Sequence, residues 1–181
     1  IITHVTFRLH RSSIVIVPAY HDLQEFFKEQ QEVALIDLRN AIIDIRSRKG
    51  MVILPGHEIY KSAGSFFKNP VVDPDDFAHV ESVIIGYPDG ACAPPWYWTQ
   101  KNGQVKIATA CLMEAAGFPK GYREGNVGLS PKHALSIINL GGATAAEVVG
   151  LAQKIQDTVR EKFGVWLERE AQYVGFDLDT E

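Results

Sequence analysis

The sequence predicts an α+β fold, and three observations carry the prediction. The spacing of apolar residues switches along the chain between a period of two and a period near 3.6. The two kinds of segment are mixed irregularly, without the strand–helix rhythm of a doubly wound sheet. Glycine and proline punctuate the junctions between them.

The first element is read as a strand. In "IITHVTFRLH", Thr3, Val5, Phe7 and Leu9 alternate with His4, Thr6 and Arg8. A lone strand needs pairing partners. The chain opens inside this strand on Ile1 instead of methionine, so it is read as the C-terminal part of a longer protein. "LIDLRNAIIDIRSRKG" places Leu35, Leu38, Ile42 and Ile45 at helical spacing, with Arg46, Arg48 and Lys49 in the last turn and Gly50 as the stop. "MVILPGHEIYK" from Met51 to Lys61 reads as a connection. "DPDDFAHVESVIIG" opens a helix: Asp73 can cap it and Pro74 suits the first turn. "ACAPPWYWTQKNGQVK" reads as a loop with three aromatics and an Asn102-Gly103 turn, and "TACLMEAAG" as a short apolar helix closed by Gly117. "ALSIINL" is a buried strand. The clearest helix follows: Thr144 and Glu147 form a capping box, Val148, Leu151, Ile155 and Val159 a stripe, and Gly164 the stop. "VWLEREAQYVGF" is predicted to close the chain as a strand.

Bulk properties bound the function. The chain has 181 residues, 46% hydrophobic and 22% charged, enough for one globular core. A net charge of −4 gives no basic field for nucleic acid. No apolar run is long enough to span a bilayer, and no secretory leader pattern is present, so no membrane partner is expected. Cys92 and Cys111, the two cysteines, suggest no disulfide framework, which fits a reducing cytoplasm. The six histidines form no metal-ligand pair and there is no Cys-x-x-Cys, so no metal site is predicted. There is no internal repeat.

Familiar catalytic motifs are also missing. "SAGSFF" is not a nucleophile elbow. "NLGGATAAE" joins a strand, a glycine pair and a helix, yet lacks both dinucleotide and Walker-type spacings, so it reads as a turn plus a cap. Lys49, Ser65, Asn69, His133 and Glu170 are polar residues that the predicted elements leave without an evident structural role. Singly, each has an ordinary surface explanation. Lys49 suits a helix C-terminus. Ser65 and Asn69 suit turns, and His133 a loop. Glu168, Glu170 and Gln172 suit a strand's wet face.

Together they form a pattern. "KGMVILPGHEIYKSAGSFFKNPVV", then "GQVKIATACLMEAAGFPKGYREGNVGLSPKHALSIINLGGATAAEV", then "VREKFGVWLEREAQYVG" closely resemble the UDP-N-acetylenolpyruvoylglucosamine reductases, also called UDP-N-acetylmuramate dehydrogenases. "GSFFKNP" is the most specific block. The resemblance runs from about Ile2 to Gly175. It implies a cytoplasmic flavoenzyme of peptidoglycan synthesis, an oxidoreductase acting on a CH–CH bond. NADPH reduces FAD, and hydride then passes to UDP-N-acetylglucosamine enolpyruvate, giving UDP-N-acetylmuramate. Negative charge develops beside the new C–H bond and needs donors and a proton.

The resemblance also implies roles. Ser65 is the proton donor to the substrate carbon. Gly64 lets backbone and ligand approach, and Phe66 and Phe67 wedge the turn and exclude water. Asn69 binds substrate polar groups. Lys49 suits the diphosphate. Glu170 is the C-terminal acid at the substrate carboxylate, where a neighbouring charge raises a pKa. His133 stands where some members have glutamine. The family's loop tyrosine falls in "PPWYWTQ", with Tyr97 and Trp98 both candidates. Cys111 replaces a larger aromatic and Arg169 a frequent proline. Residues 1–49 correspond to the C-terminal part of the second FAD-binding domain, 50–163 to the substrate-binding domain, and 164–181 to a strand returning to the first FAD-binding domain. The partner is then the N-terminal FAD-binding part of the same protein, with a further site arginine and most flavin contacts upstream of Ile1, and the piece alone is expected to be inactive. The alternative is a non-catalytic nucleotide-sugar-binding module lacking flavin.

Overall fold

The computed structural model describes residues 2–12, 14–30, 32–53, 61–85, 92 and 95–175. They fall into two compact units, 1–48 and 49–181, and the chain is α+β as predicted.

The first unit holds helices α1 (His21–Phe26) and α2 (Leu35–Arg48). Its small core consists of Leu23, Phe27, Leu38 and Ala41, with Ile42 and Ile45 packed against it. The predicted α2 stripe therefore holds at three positions, whereas Leu35 is exposed. The α1 helix was not foreseen: at six residues it is too short to show a periodic stripe. The strand expected over residues 2–9 does not form. Among the described residues nothing pairs with that segment, and an extended chain without a ladder neighbour leaves its backbone groups to water.

Among the described residues the second unit contains two antiparallel sheets and three helices. One sheet has the order β1 (Ser62–Ser65), β7 (Ser136–Asn139), β6 (Val127–Leu129), β5 (Arg123–Glu124). The other has β2 (Val71–Val72), β4 (Val105–Ile107), β3 (Tyr97–Thr99). Helix α3 (Pro74–Ile85) begins where Asp73-Pro74 predicted, although the Asp73 carboxylate accepts from the Gln104 side chain at 3.1 Å. Helix α4 (Thr109–Ala115) is almost wholly buried. Helix α5 (Ala145–Phe163) packs against α3, α4, β6 and β7. Its capping box is intact, and Gly164 ends it at φ +70°. Leu151, Ile155 and Val159 of the predicted stripe project from α5 into the main core, Val148 packs half-buried against it, and Phe163, outside that stripe, joins the core. Among the described residues no helix is long and apolar enough to cross a membrane.

Three readings need correction. The stretch taken as one aromatic loop contains β3 and β4, joined by a turn in which the Gly103 N–H donates to the Gln100 carbonyl at 3.0 Å. Strands of three residues are too short to announce themselves by alternation. The segment after α5 is not a sheet strand: residues 164–175 make only an isolated bridge between Arg169 and Phe67. The cysteines are not a free pair. Cys92 and Cys111 are disulfide-bonded, with Cα atoms 4.8 Å apart, because half-buried Cys92 packs on the same core that encloses Cys111. The connection read over Met51–Lys61 lies mostly outside the described residues.

Candidate functional site

The site begins at the end of β1. Register against β7 shifts between Ser62 and Ser65, so the strand carries an irregularity there. Gly64 occupies it at φ +83° with nothing within 4 Å of where a Cβ would sit. Glycine is needed for its backbone conformation, not for space. The shift brings half-buried Ser65 to the mouth of a cleft, while Phe66 and Phe67 turn into the core at 3% and 1% exposure. Their rings meet edge to face at 5.4 Å. The Phe66 N–H donates to the Leu135 carbonyl at 2.9 Å, tying this turn to the residue before β7.

Two distant segments complete the site. The chain after α5 runs beside residues 66–68: the Lys68 N–H donates to the Glu168 carbonyl and the Glu170 N–H to the Phe66 carbonyl, both at 2.9 Å. Leu167 and Val165 are buried in the core, so Glu170 is delivered by an anchored segment. That anchor includes Gln156 of α5, 2% exposed, whose Nε2 donates to the Leu167 carbonyl at 2.7 Å. On the other side, the Thr109 N–H donates to Asn69 Oδ1 at 3.0 Å, and the Thr109 hydroxyl donates to the Lys68 carbonyl at 2.7 Å.

The result is an open cleft of about 410 Å³ in which Ser65, Asn69, Lys106 and Glu170 meet, with Phe67 and Leu135 as apolar walls. The sequence separates Ser65 from Glu170 by more than a hundred positions. Lys106 was missed. Its signal was present in "QVKIA": Val105 and Ile107 are buried on either side of it, so Lys106 points to the opposite face of β4. Lys68 also borders the cleft, but its ammonium pairs with Glu168.

The remaining candidates do not line the cleft. Trp98 and Val71 stand directly opposite Lys106 on the flanking strands, so the three share a sheet face. Tyr97 stands opposite Ile107 on the other face, its ring 4.6 Å from that of Phe77. The two aromatics that the sequence left equivalent thus point to opposite sides. His133 is not part of the cleft wall, though it lies two residues before Leu135. Its Nδ1 accepts from the Leu135 N–H at 3.2 Å. Burial holds its pKa below the ordinary value of 6.5, and the positive charges of Lys120 and Lys49 push the same way. Lys49 is exposed at the start of the second unit and does not line the cleft.

The helix start in "NLGGATAAE" is closed to an anion. Glu147 Oε2 accepts from the Thr144 N–H at 2.7 Å, and its pKa is held low by that N–H and by the Thr144 hydroxyl. The Glu147 carboxylate thus already holds the Thr144 N–H that an external anion would compete for. Among the described residues, no group of three or more His, Cys, Asp or Glu side chains converges to hold a metal.

Comparison with known proteins agrees with this architecture. Residues 55–174 match the family model described as UDP-N-acetylenolpyruvoylglucosamine reductase, C-terminal domain. A UDP-N-acetylenolpyruvoylglucosamine reductase of Thermobifida fusca (strain YX) is 38% identical over 180 residues, covering 98% of this chain and 50% of the relative. One of Corynebacterium diphtheriae is 33% identical over 180 residues, 98% of this chain and 46% of the relative. One of Mycobacterium tuberculosis (strain ATCC 25618 / H37Rv) is 40% identical over 141 residues, 76% of this chain and 37% of the relative. The chain thus spans half or less of the length of these relatives.

Proposed function

The chain belongs to the UDP-N-acetylenolpyruvoylglucosamine reductase family, and from that premise we propose that it supplies the substrate-binding and proton-donating part of an enzyme that reduces UDP-N-acetylglucosamine enolpyruvate to UDP-N-acetylmuramate. The observation that carries this reading is the convergence of Ser65, Asn69, Lys106 and Glu170 on one cleft. Such a set suits an anionic enol ether that must gain a proton: a neutral hydroxyl, an amide, a cation and a carboxyl group.

The reaction adds one hydride and one proton across the enolpyruvyl double bond. FAD and NADPH are the cofactors the family resemblance implies. In this reading most contacts to them come from the N-terminal part of the same protein, and the glycine-rich helix start, capped by Glu147, is not assigned to them. The hydride is the flavin's contribution, and no part of its delivery is assigned to these residues. Ser65 acts on the other half. Once the terminal carbon has become a methyl group, charge on the neighbouring carbon spreads into the carboxylate. The Ser65 hydroxyl gives its proton to that carbon, the C–H bond forms, and the serine oxygen recovers a proton from solvent. Buried Phe66 and Phe67 anchor the turn that carries the hydroxyl. Glu170, protonated or through water, assists at the carboxylate. Asn69 and Lys106 hold the diphosphate. Lys49, His133 and Trp98 bind at the periphery, with Trp98 favoured over Tyr97 because it shares the Lys106 face.

In this reading residues 1–49 finish a second flavin-binding domain, 50–163 form the substrate domain and 164–181 return towards a first flavin-binding domain supplied by the same protein; a cytoplasmic location then rests on the family resemblance, since the Cys92–Cys111 disulfide removes the thiol argument for it. Calorimetric titration of the intact protein with uridine diphosphate tests the reading. Lys106→Ala is expected to weaken binding by roughly tenfold or more, the range of a lost charge-assisted contact. Unchanged affinity would remove Lys106 from the diphosphate and leave the cleft without its cation.

A further inference from the structure

Thr109 is 0% exposed and touches no ligand-facing surface, yet it makes two hydrogen bonds to the cleft's floor. Its N–H donates to Asn69 Oδ1 at 3.0 Å and its hydroxyl donates to the Lys68 carbonyl at 2.7 Å. These bonds clamp two consecutive residues from one point, in a turn that Pro70 stiffens on its far side. The first bond has a chemical consequence for the amide. With Oδ1 drawn to the Thr109 N–H, Nδ2 is the end of the amide left to the cleft, and no hydrogen bond from Nδ2 to another described residue is formed. A side chain that is usually donor and acceptor at once is thereby biased towards donating. It then favours ligand oxygens that only accept, such as phosphate oxygens, over groups that must donate.

We infer that Thr109 is a positioning residue, acting through Asn69 to hold the amide with its donor end against the substrate diphosphate. This rests on the cleft being the diphosphate site proposed above. The hydroxyl sets the Lys68 carbonyl, and so the backbone from which Asn69 projects. The N–H sets which end of the amide faces the ligand. Serine keeps both bonds. Valine keeps shape and N–H but loses the hydroxyl, leaving the Lys68 carbonyl without that donor.

The test is a double-mutant cycle on uridine diphosphate affinity, measured by calorimetry on the intact protein with thermal melts as a folding control. T109V is expected to weaken binding about tenfold, T109S to remain within about twofold of wild type, and T109V to add nothing in the N69A background. N69D supplies a second arm that does not depend on Thr109. Its carboxylate can still accept from the Thr109 N–H, but it presents an acceptor to the phosphate, and binding should fall about a hundredfold with an unchanged melting temperature. Equal losses for T109V in both backgrounds would show a merely structural threonine and overturn the inference alone. So would wild-type affinity in N69D. A wild type that does not bind uridine diphosphate would overturn the diphosphate reading and this inference with it.

Discussion

Gln156→Met separates the anchor of the cleft from the cleft itself. Gln156 sits on the inward face of α5 at 2% exposure, and its amide donates to the Leu167 carbonyl at 2.7 Å. Leu167 is 0% exposed, and no other hydrogen bond to its carbonyl is present among the described residues. Methionine keeps the length and unbranched shape of glutamine, so no large cavity opens. What is lost is one buried hydrogen bond, and what remains is a buried acceptor. Such an orphan costs about 1–3 kcal/mol. For a unit of this size, about 2 kcal/mol lowers the melting temperature by roughly 6–12 °C. Thermal unfolding followed by circular dichroism gives the shift. Amide hydrogen exchange locates it: the Glu170 N–H, bonded to the Phe66 carbonyl, is expected to exchange faster in the variant. A melting temperature within about 1 °C of wild type, with Glu170 protection unchanged, would refute the reasoning that this amide holds the C-terminal segment on the cleft.

Two further outcomes follow from the same structure. Reducing the Cys92–Cys111 disulfide opens a closure of 19 residues and should cost about 3 kcal/mol; urea midpoints with and without reductant measure it, and coincident midpoints would show that the bridge does not constrain the unfolded chain. His133 has a folded pKa lowered from 6.5 by burial, so the unfolded chain binds more protons and stability rises with pH across that interval. Its contribution is therefore present above pH 6.5 and is lost as pH falls through the folded value. Wild type should lose more stability than His133→Gln between pH 7.5 and 5.5, and parallel losses would contradict this.

Helices were the most legible part of the fold. The α5 helix carries its own start in Thr144 and Glu147, its own stop in Gly164, and five turns of stripe between them, so local signals agree with tertiary packing. Short elements were hidden. The β3 and β4 strands span three residues each and exist because they pair across the turn at Gly103, which is a contact and not a local preference. The N-terminal alternation misled for the converse reason: Val5, Phe7 and Leu9 have strand spacing but no described partner. At the site, Ser65, Asn69 and Glu170 were named through family resemblance, since each alone looks like a surface residue. Lys106 and Thr109 escaped because their importance lies in what β4 and α4 bring beside Asn69. The Cys92–Cys111 bond escaped because spacing in sequence does not encode proximity across the core.

The central claim is that Ser65 delivers a proton from the cleft to the substrate carbon. Stopped-flow absorbance of the flavin in the intact enzyme tests it directly with Ser65→Ala. Reduction of the flavin by NADPH involves no proton transfer to that carbon, so its rate should be nearly unaltered. Reoxidation by the enolpyruvyl substrate should slow by about 10²–10⁴-fold, the range for a lost general acid, with cysteine at position 65 retaining more activity than alanine. Equal slowing of both halves, or no slowing of the second, would contradict the account and leave Ser65 as the turn residue its local sequence suggests.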